Sequence, residues 1–227
     1  MKARRYEVTM KGESPLLMHK DNIEFGERIR KWQKDPKNKD LSVAGDDRSP
    51  AWTWLSYCYN DGEKFVIDID NVMSCLRDGG AKVKHPNGRG SLKTQTQSGI
   101  IAEGLGWELL VAGNPVPWAP FADLEGETDF SRHEALAEKF GFRLFMKRAM
   151  ISGGFGKGSK HVRVRPMFED WTVRGSILVL DEILTTPVLE TLFTQCGFYI
   201  GIGDWRPGGK TPGQFGRFSA TLKEVEA

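Results

Sequence analysis

The stretch TPVLETLFTQCGFYIGIGDWRPGGKTPGQFGRFSATLKEVE, residues 186–226, decides the fold. Thr186 can cap a helix and Pro187 can open it, while Val188, Leu189, Leu192, Phe193 and Cys196 recur at helical spacing and give it one apolar face. Gly197 falls where a left-handed cap would end the helix. The loop from Gly201 to Phe218 is rich in glycine, which lets backbone approach a ligand, and its Trp205, Arg206, Lys210, Phe215 and Arg217 offer rings and charge. Phe218, Ala220 and Leu222 then alternate with Arg217, Ser219, Thr221 and Lys223, the pattern of a strand with one buried face.

Working outward, Phe142–Ile151 reads as a strand and residues 152–160 as a basic loop containing Phe155, Lys157 and Lys160. His161, Arg163 and Arg165 alternate with Val162 and Val164, so a strand there carries three cationic or titratable groups on one face. Trp171–Leu180 reads as its hairpin partner. At the other end, Tyr6, Val8 and Met10 alternate with Arg5, Glu7, Thr9 and Lys11 in an opening strand. Phe65, Ile67 and Ile69 make a short strand, Asp70 can cap a helix, and Gly79-Gly80 weakens that helix at its far end. Lys82, Lys84, Arg89 and Lys93 lie in a further basic, glycine-containing loop. Residues 51–59, 94–104 and 131–140 read as helices, and 107–111 as a strand. The polar segment 20–49 reads as a mobile loop or an arm that orders on a partner. The expectation is one α+β domain over 1–227, an antiparallel sheet with helices on one face, with 20–60 and 84–140 as insertions or excursions from the core.

The 227 residues suffice for a sizeable core, and no apolar run approaches the length of a membrane span, so a soluble, cytoplasmic protein without membrane contact is expected. Cys58, Cys75 and Cys196 are too far apart for a zinc site and odd in number, which makes them core residues. The net charge of +2 conceals an asymmetry. Acids crowd the middle, from Glu103 and Glu108 through Asp123, Glu125, Glu127 and Asp129 to Glu134 and Glu138, while cations gather in the three loops.

Gly209-Lys-Thr211 does not complete a phosphate loop, because Asp204 stands where glycine is needed and Pro212 blocks the following helix. His19, His85, His133 and His161 show no metal-binding spacing, and neither metal nor cofactor is expected. The remaining signal is distributed: lysine and arginine to neutralise phosphates, with Trp205 and Phe215 to stack on bases, a mixture suited to single-stranded nucleic acid.

Two strands, a helix, a loop ending in Gly-x-Phe-Gly-Arg-Phe and a closing strand resemble the second half of the ferredoxin-like fold of the RAMP superfamily, which includes backbone and RNA-processing subunits of CRISPR effectors. Ser14-Pro-Leu-Leu17 after the first strand is similar to the start of such proteins. The chain also resembles small bacteriophage and prophage proteins with a Gly-x-Gly-Asp-Trp-Arg-Pro loop. The resemblance implies a ferredoxin-like fold and a backbone subunit packing side by side along single-stranded RNA or DNA as a homo-oligomer or filament. Two alternatives stand beside it. One is a metal-independent endoribonuclease using His161, with His19 as a further candidate. The other is a phage structural or assembly protein whose basic loops meet acidic surfaces such as residues 123–129 of a neighbour.

Overall fold

A computed structural model describes residues 3–151 and 159–226. In chain order the elements are β1 (Arg4–Gly12), β2 (Leu16–Leu17), α1 (Ile23–Lys34), 3-10 turns Pro36–Leu41 and Ala51–Tyr57, β3 (Val66–Asp68), α2 (Ile69–Gly80), α3 (Lys93–Ser98), β4 (Ile100–Ala102) and β5 (Gly106–Val111). Then come β6 (Asn114–Pro115), α4 (Ala119–Ala122), α5 (Phe130–Lys139), β7 (Arg143–Ile151), β8 (Ser159–Phe168), β9 (Trp171–Val179), α6 (Thr186–Gln195), a π-turn Cys196–Ile200 and β10 (Phe218–Val225). The architecture is mixed α+β, and the pairs β1–β10, β1–β9, β3–β5, β4–β9, β5–β6, β5–β9 and β7–β8 are all antiparallel. Among the described residues no helix is long and apolar enough to cross a membrane.

The chain divides into two compact units. Unit one comprises Met1–Leu17, Asn60–Val116 and Phe168–Ala227. Its sheet runs β10-β1-β9-β5-β3, with β4 beside β9 and β6 beside β5. β1 lies between β10 and β9: Met10 is opposite Ala220 on one side and Val173 on the other, and Tyr6 opposite Glu224 and Ile177. The alternation read from β1 sends Tyr6, Val8 and Met10 into the core, where Trp107, Leu109, Val173, Ile177, Leu189, Leu192 and Phe193 are also buried. α6 packs on β10, and α2 on β3 and α6. Trp107 crosses β9 at Gly175, where a Cβ would overlap its indole.

Four local expectations are corrected here. Trp171–Val179 does not form a hairpin with 159–168; it is the inner strand between β1 and β5, because its buried Trp171, Val173, Ile177 and Val179 match their apolar residues. The cap of α2 is Asp68, not Asp70. Gly79 and Gly80 are not a weak end: a Cβ at Gly79 would overlap Cys196 Sγ, and one at Gly80 would overlap Thr96 Oγ1, so the pair lets the π-turn and α3 close on the same helix. Gly197 is not a left-handed cap either. The helix continues into the π-turn, Gly197 lies flush against the Phe218 carbonyl, and Gly201, with φ +72°, ends the turn.

Unit two comprises Met18–Tyr59 and Pro117–Met167. Part of the segment read as a loop is α1: the Asn22 side chain accepts from the Phe25 amide, Glu24 sits in the first turn, and Lys31 and Lys34 sit in the last. Phe25, Ile29 and Trp32 share one side of it, and Phe25 packs 5.8 Å from the Trp52 ring. β7 and β8 pair antiparallel from Arg143 opposite Met167 to Ile151 opposite Ser159. Trp54 centres the core, with ring contacts to Phe121 at 6.0 Å and Phe142 at 6.2 Å. Its indole N–H donates to His133 Nδ1 at 3.1 Å, which leaves Nε2 of that ring to donate to the Glu127 carbonyl at 3.0 Å. Burial lowers the pKa of His133 and holds it neutral.

Candidate nucleic-acid interface

In unit one, α2 is the shared support of two of the three basic loops. Lys82 and Val83 donate their amides to the Gly79 carbonyl at 2.8 and 3.2 Å, carrying the chain off the helix end. A narrow loop then closes on itself. Leu92 N–H donates to Val83 O at 3.0 Å, His85 N–H to Gly90 O at 2.9 Å, and Lys84 bridges to Ser91. Buried Leu92 anchors it. Lys82, Lys84, Arg89 and Lys93 are all exposed, and no Asp or Glu occurs between Gly79 and Ala102. Among the described residues none of these four has a side-chain hydrogen bond or ion pair.

The glycine-rich loop uses its glycines differently from the sequence reading. A Cβ at Gly213 would overlap the Trp205 carbonyl, one at Gly216 the Ile202 carbonyl, and one at Gly203 the Leu17 carbonyl. The loop is therefore packed against itself and against the end of β2, and the missing side chains serve that packing. Trp205, at φ +48°, is half-buried, and its ring faces that of Phe215 at 6.4 Å. Arg206 reaches α2, with Nη2 at 3.4 Å from both Asp78 Oδ2 and Ser74 Oγ, and Nη1 at 3.3 Å from Gly201 O. Arg217 donates to the Phe198 carbonyl and, at 3.3 Å, to Gln214 Oε1. Lys210 is exposed and has no side-chain partner among the described residues. Of the groups chosen in this loop, Trp205, Arg206 and Phe215 thus hold the loop's shape, and Lys210 faces solvent.

The second basic stretch belongs to unit two; Phe155 and Lys157 lie outside the described residues, and Lys160 is exposed. His161, Arg163 and Arg165 do share a face, but that face is covered. Asp47, 5% exposed, accepts from Arg163 Nη1 at 2.9 Å, Val164 N–H at 3.1 Å and Arg165 Nη1 at 3.2 Å. Arg165 is buried, and its guanidinium lies over the Tyr57 ring at 4.2 Å, so it faces protein and not solvent. Burial, and then the neighbouring Asp47 carboxylate, push the Tyr57 hydroxyl up to about 12. Beside this cluster lies a cleft of about 380 Å³, lined in part by His19, Lys20, Asp47, Tyr57, His161 and Arg163. The His19 ring meets Tyr57 edge-on at 4.9 Å, and Gly45 leaves room for the His161 ring.

Asp47 lies within the segment 20–49 read as a loop or arm, and neither it nor Lys20 or Tyr57 stands out as a site residue in the sequence. No local signal could have found them, because Asp47 and its arginines are separated by 116 and 118 positions. No protein-family model matches the chain, and no curated protein matches it significantly.

Proposed function

We propose that the chain binds single-stranded nucleic acid through unit one, on a ferredoxin-like domain of the RAMP kind, and assembles side by side along the strand. The observation that carries the reading is the loop 83–92 with its flanks: four exposed cations and no acid between Gly79 and Ala102. Clustered charge of one sign on an exposed loop attracts a polyanion and releases its counterions. The fold part of the reading is supported by the order β10-β1-β9-β5, in which β1, α2, β5, β9, α6 and β10 follow one another as βαββαβ. Lys210 adds a fifth free cation. If all five neutralise phosphates, the log-log salt dependence of binding has a slope of about −3.5. Anisotropy of a labelled single strand across a salt series tests this, and the Lys82→Ala/Lys84→Ala protein should lose about 1.4 of that slope. A flat response, or no binding at low salt, removes the reading.

One observation favours a second reading, a metal-independent endoribonuclease: His19 and His161 line the same cleft as Lys20 and Arg163. In such a site one imidazole takes the proton of a ribose 2′-hydroxyl as its oxygen attacks the adjoining phosphorus. The other protonates the departing 5′-oxygen, leaving a 2′,3′-cyclic phosphate. RNA cleavage in chelator that disappears in both His19→Ala and His161→Ala would establish it, and intact RNA would exclude it.

A further inference from the structure

The π-turn after α6 presents two aromatic rings that the core does not use. Along α6 and into the turn the buried residues are Leu189, Leu192, Phe193 and Cys196, a stripe that Ile200 continues at helical spacing. The Gly201 amide donates to the Cys196 carbonyl at 2.8 Å, an i to i+5 bond that widens the turn by one residue. Ile200 is buried, while Phe198 and Tyr199, off that stripe, are 46% and 64% exposed. Among the described residues neither ring has an aromatic or cation contact.

Three neighbouring groups, two backbone and one guanidinium, pin this turn. Gly197 abuts the Phe218 carbonyl, Arg217 donates to the Phe198 carbonyl, and Gly208 N–H donates to the Ile200 carbonyl at 2.9 Å. The last bond starts the segment that presents Lys210 two residues later. Two exposed rings on a fixed backbone, with the Arg217 guanidinium at the Phe198 carbonyl, combine apolar area with positive charge.

Resting on the nucleic-acid reading above, we infer that Tyr199, with Phe198 beside it, is the base-stacking platform of this protein, so that the ligand is a strand with unpaired bases and not merely a polyanion. The role read from sequence for Trp205 passes to Tyr199, six positions upstream of it, because Trp205 is engaged with Phe215 inside the loop.

The test compares binding of a labelled single strand with binding of an abasic strand of equal length and charge. The unmodified protein should bind the base-bearing strand on the order of ten-fold tighter. Tyr199→Ala should lose that advantage and bind the abasic strand as before, Tyr199→Phe should retain it, and melting should be unchanged because the ring is exposed. Equal binding of both strands by the unmodified protein, or a Tyr199→Ala protein that keeps the full preference, overturns the platform while leaving the charge reading intact. Absence of binding to either strand overturns both.

Discussion

Replacing Asp47 with Ala should be among the most damaging single changes in unit two. The carboxylate is the acceptor for three donors at 2.9, 3.1 and 3.2 Å, two of them guanidinium nitrogens. The two arginines would respond differently. Arg163 has 27% of its side chain exposed and can recover water, whereas Arg165 has 6%, and the Val164 carbonyl and the Tyr57 face beside it bring no full negative charge in place of the carboxylate. Breaking a buried pair by removing one member costs about 3–5 kcal/mol, chiefly through the uncompensated charge left behind. Urea unfolding followed by circular dichroism measures it. The reasoning also fixes the rescue: in Asp47→Ala/Arg165→Met the stranded charge is gone, and most of the lost stability should return. Arg163→Ala alone should cost less than Asp47→Ala. An Asp47→Ala protein within about 1 kcal/mol of the parent, or a double variant no better than the single, would refute the assignment of this cluster as a buried clamp.

Unit two should also carry an acid-sensitive step from His133. Its pKa is lowered by burial, so the unfolded chain takes up the proton first, and stability that is constant above about 6.5 declines as pH falls toward the folded value. Melting temperature against pH should show that decline in the parent and a flatter profile in His133→Gln; equal slopes would exclude His133 as the source. In unit one, Gly216 combines φ +71° with a position where a Cβ would overlap the Ile202 carbonyl. Gly216→Ala should therefore cost at least about 1–3 kcal/mol in thermal or chemical unfolding, and a neutral result would contradict the self-packed loop.

Much of the framework was legible because it rests on local pattern. The opening strand, β5, α5, β7, β8, α6 and β10 all lie close to where alternation or helical spacing puts them. The three cysteines are buried and free, as their spacing implied. α1 was missed for a reason that can be named: its stripe of Phe25, Ile29 and Trp32 is thin, and the charged residues around it outweigh it in any composition window. The candidate site was less legible. Sequence put cations in three loops, the second of which lies largely outside the described residues, and it had no means of separating Lys82, Lys84 and Lys210, which face solvent, from Arg165 and Arg206, which face Asp47 and Asp78.

The sequence alone determined the strongly periodic elements and their inward faces, since a period of two or of 3.6 is a property of neighbouring residues and needs no partner. What only the tertiary structure decided was which faces met and what each loop residue was for. β9 pairs with β1 and β5, although it follows β8 in the chain, because burial has to be matched across strands far apart in sequence. The glycines of 201–216 admit carbonyl oxygens of their own loop and of Leu17, and Gly197 lets the turn that carries the exposed Tyr199 close on the Phe218 carbonyl. In each case the deciding quantity is the space left by an atom distant in sequence, and residue type alone does not encode it.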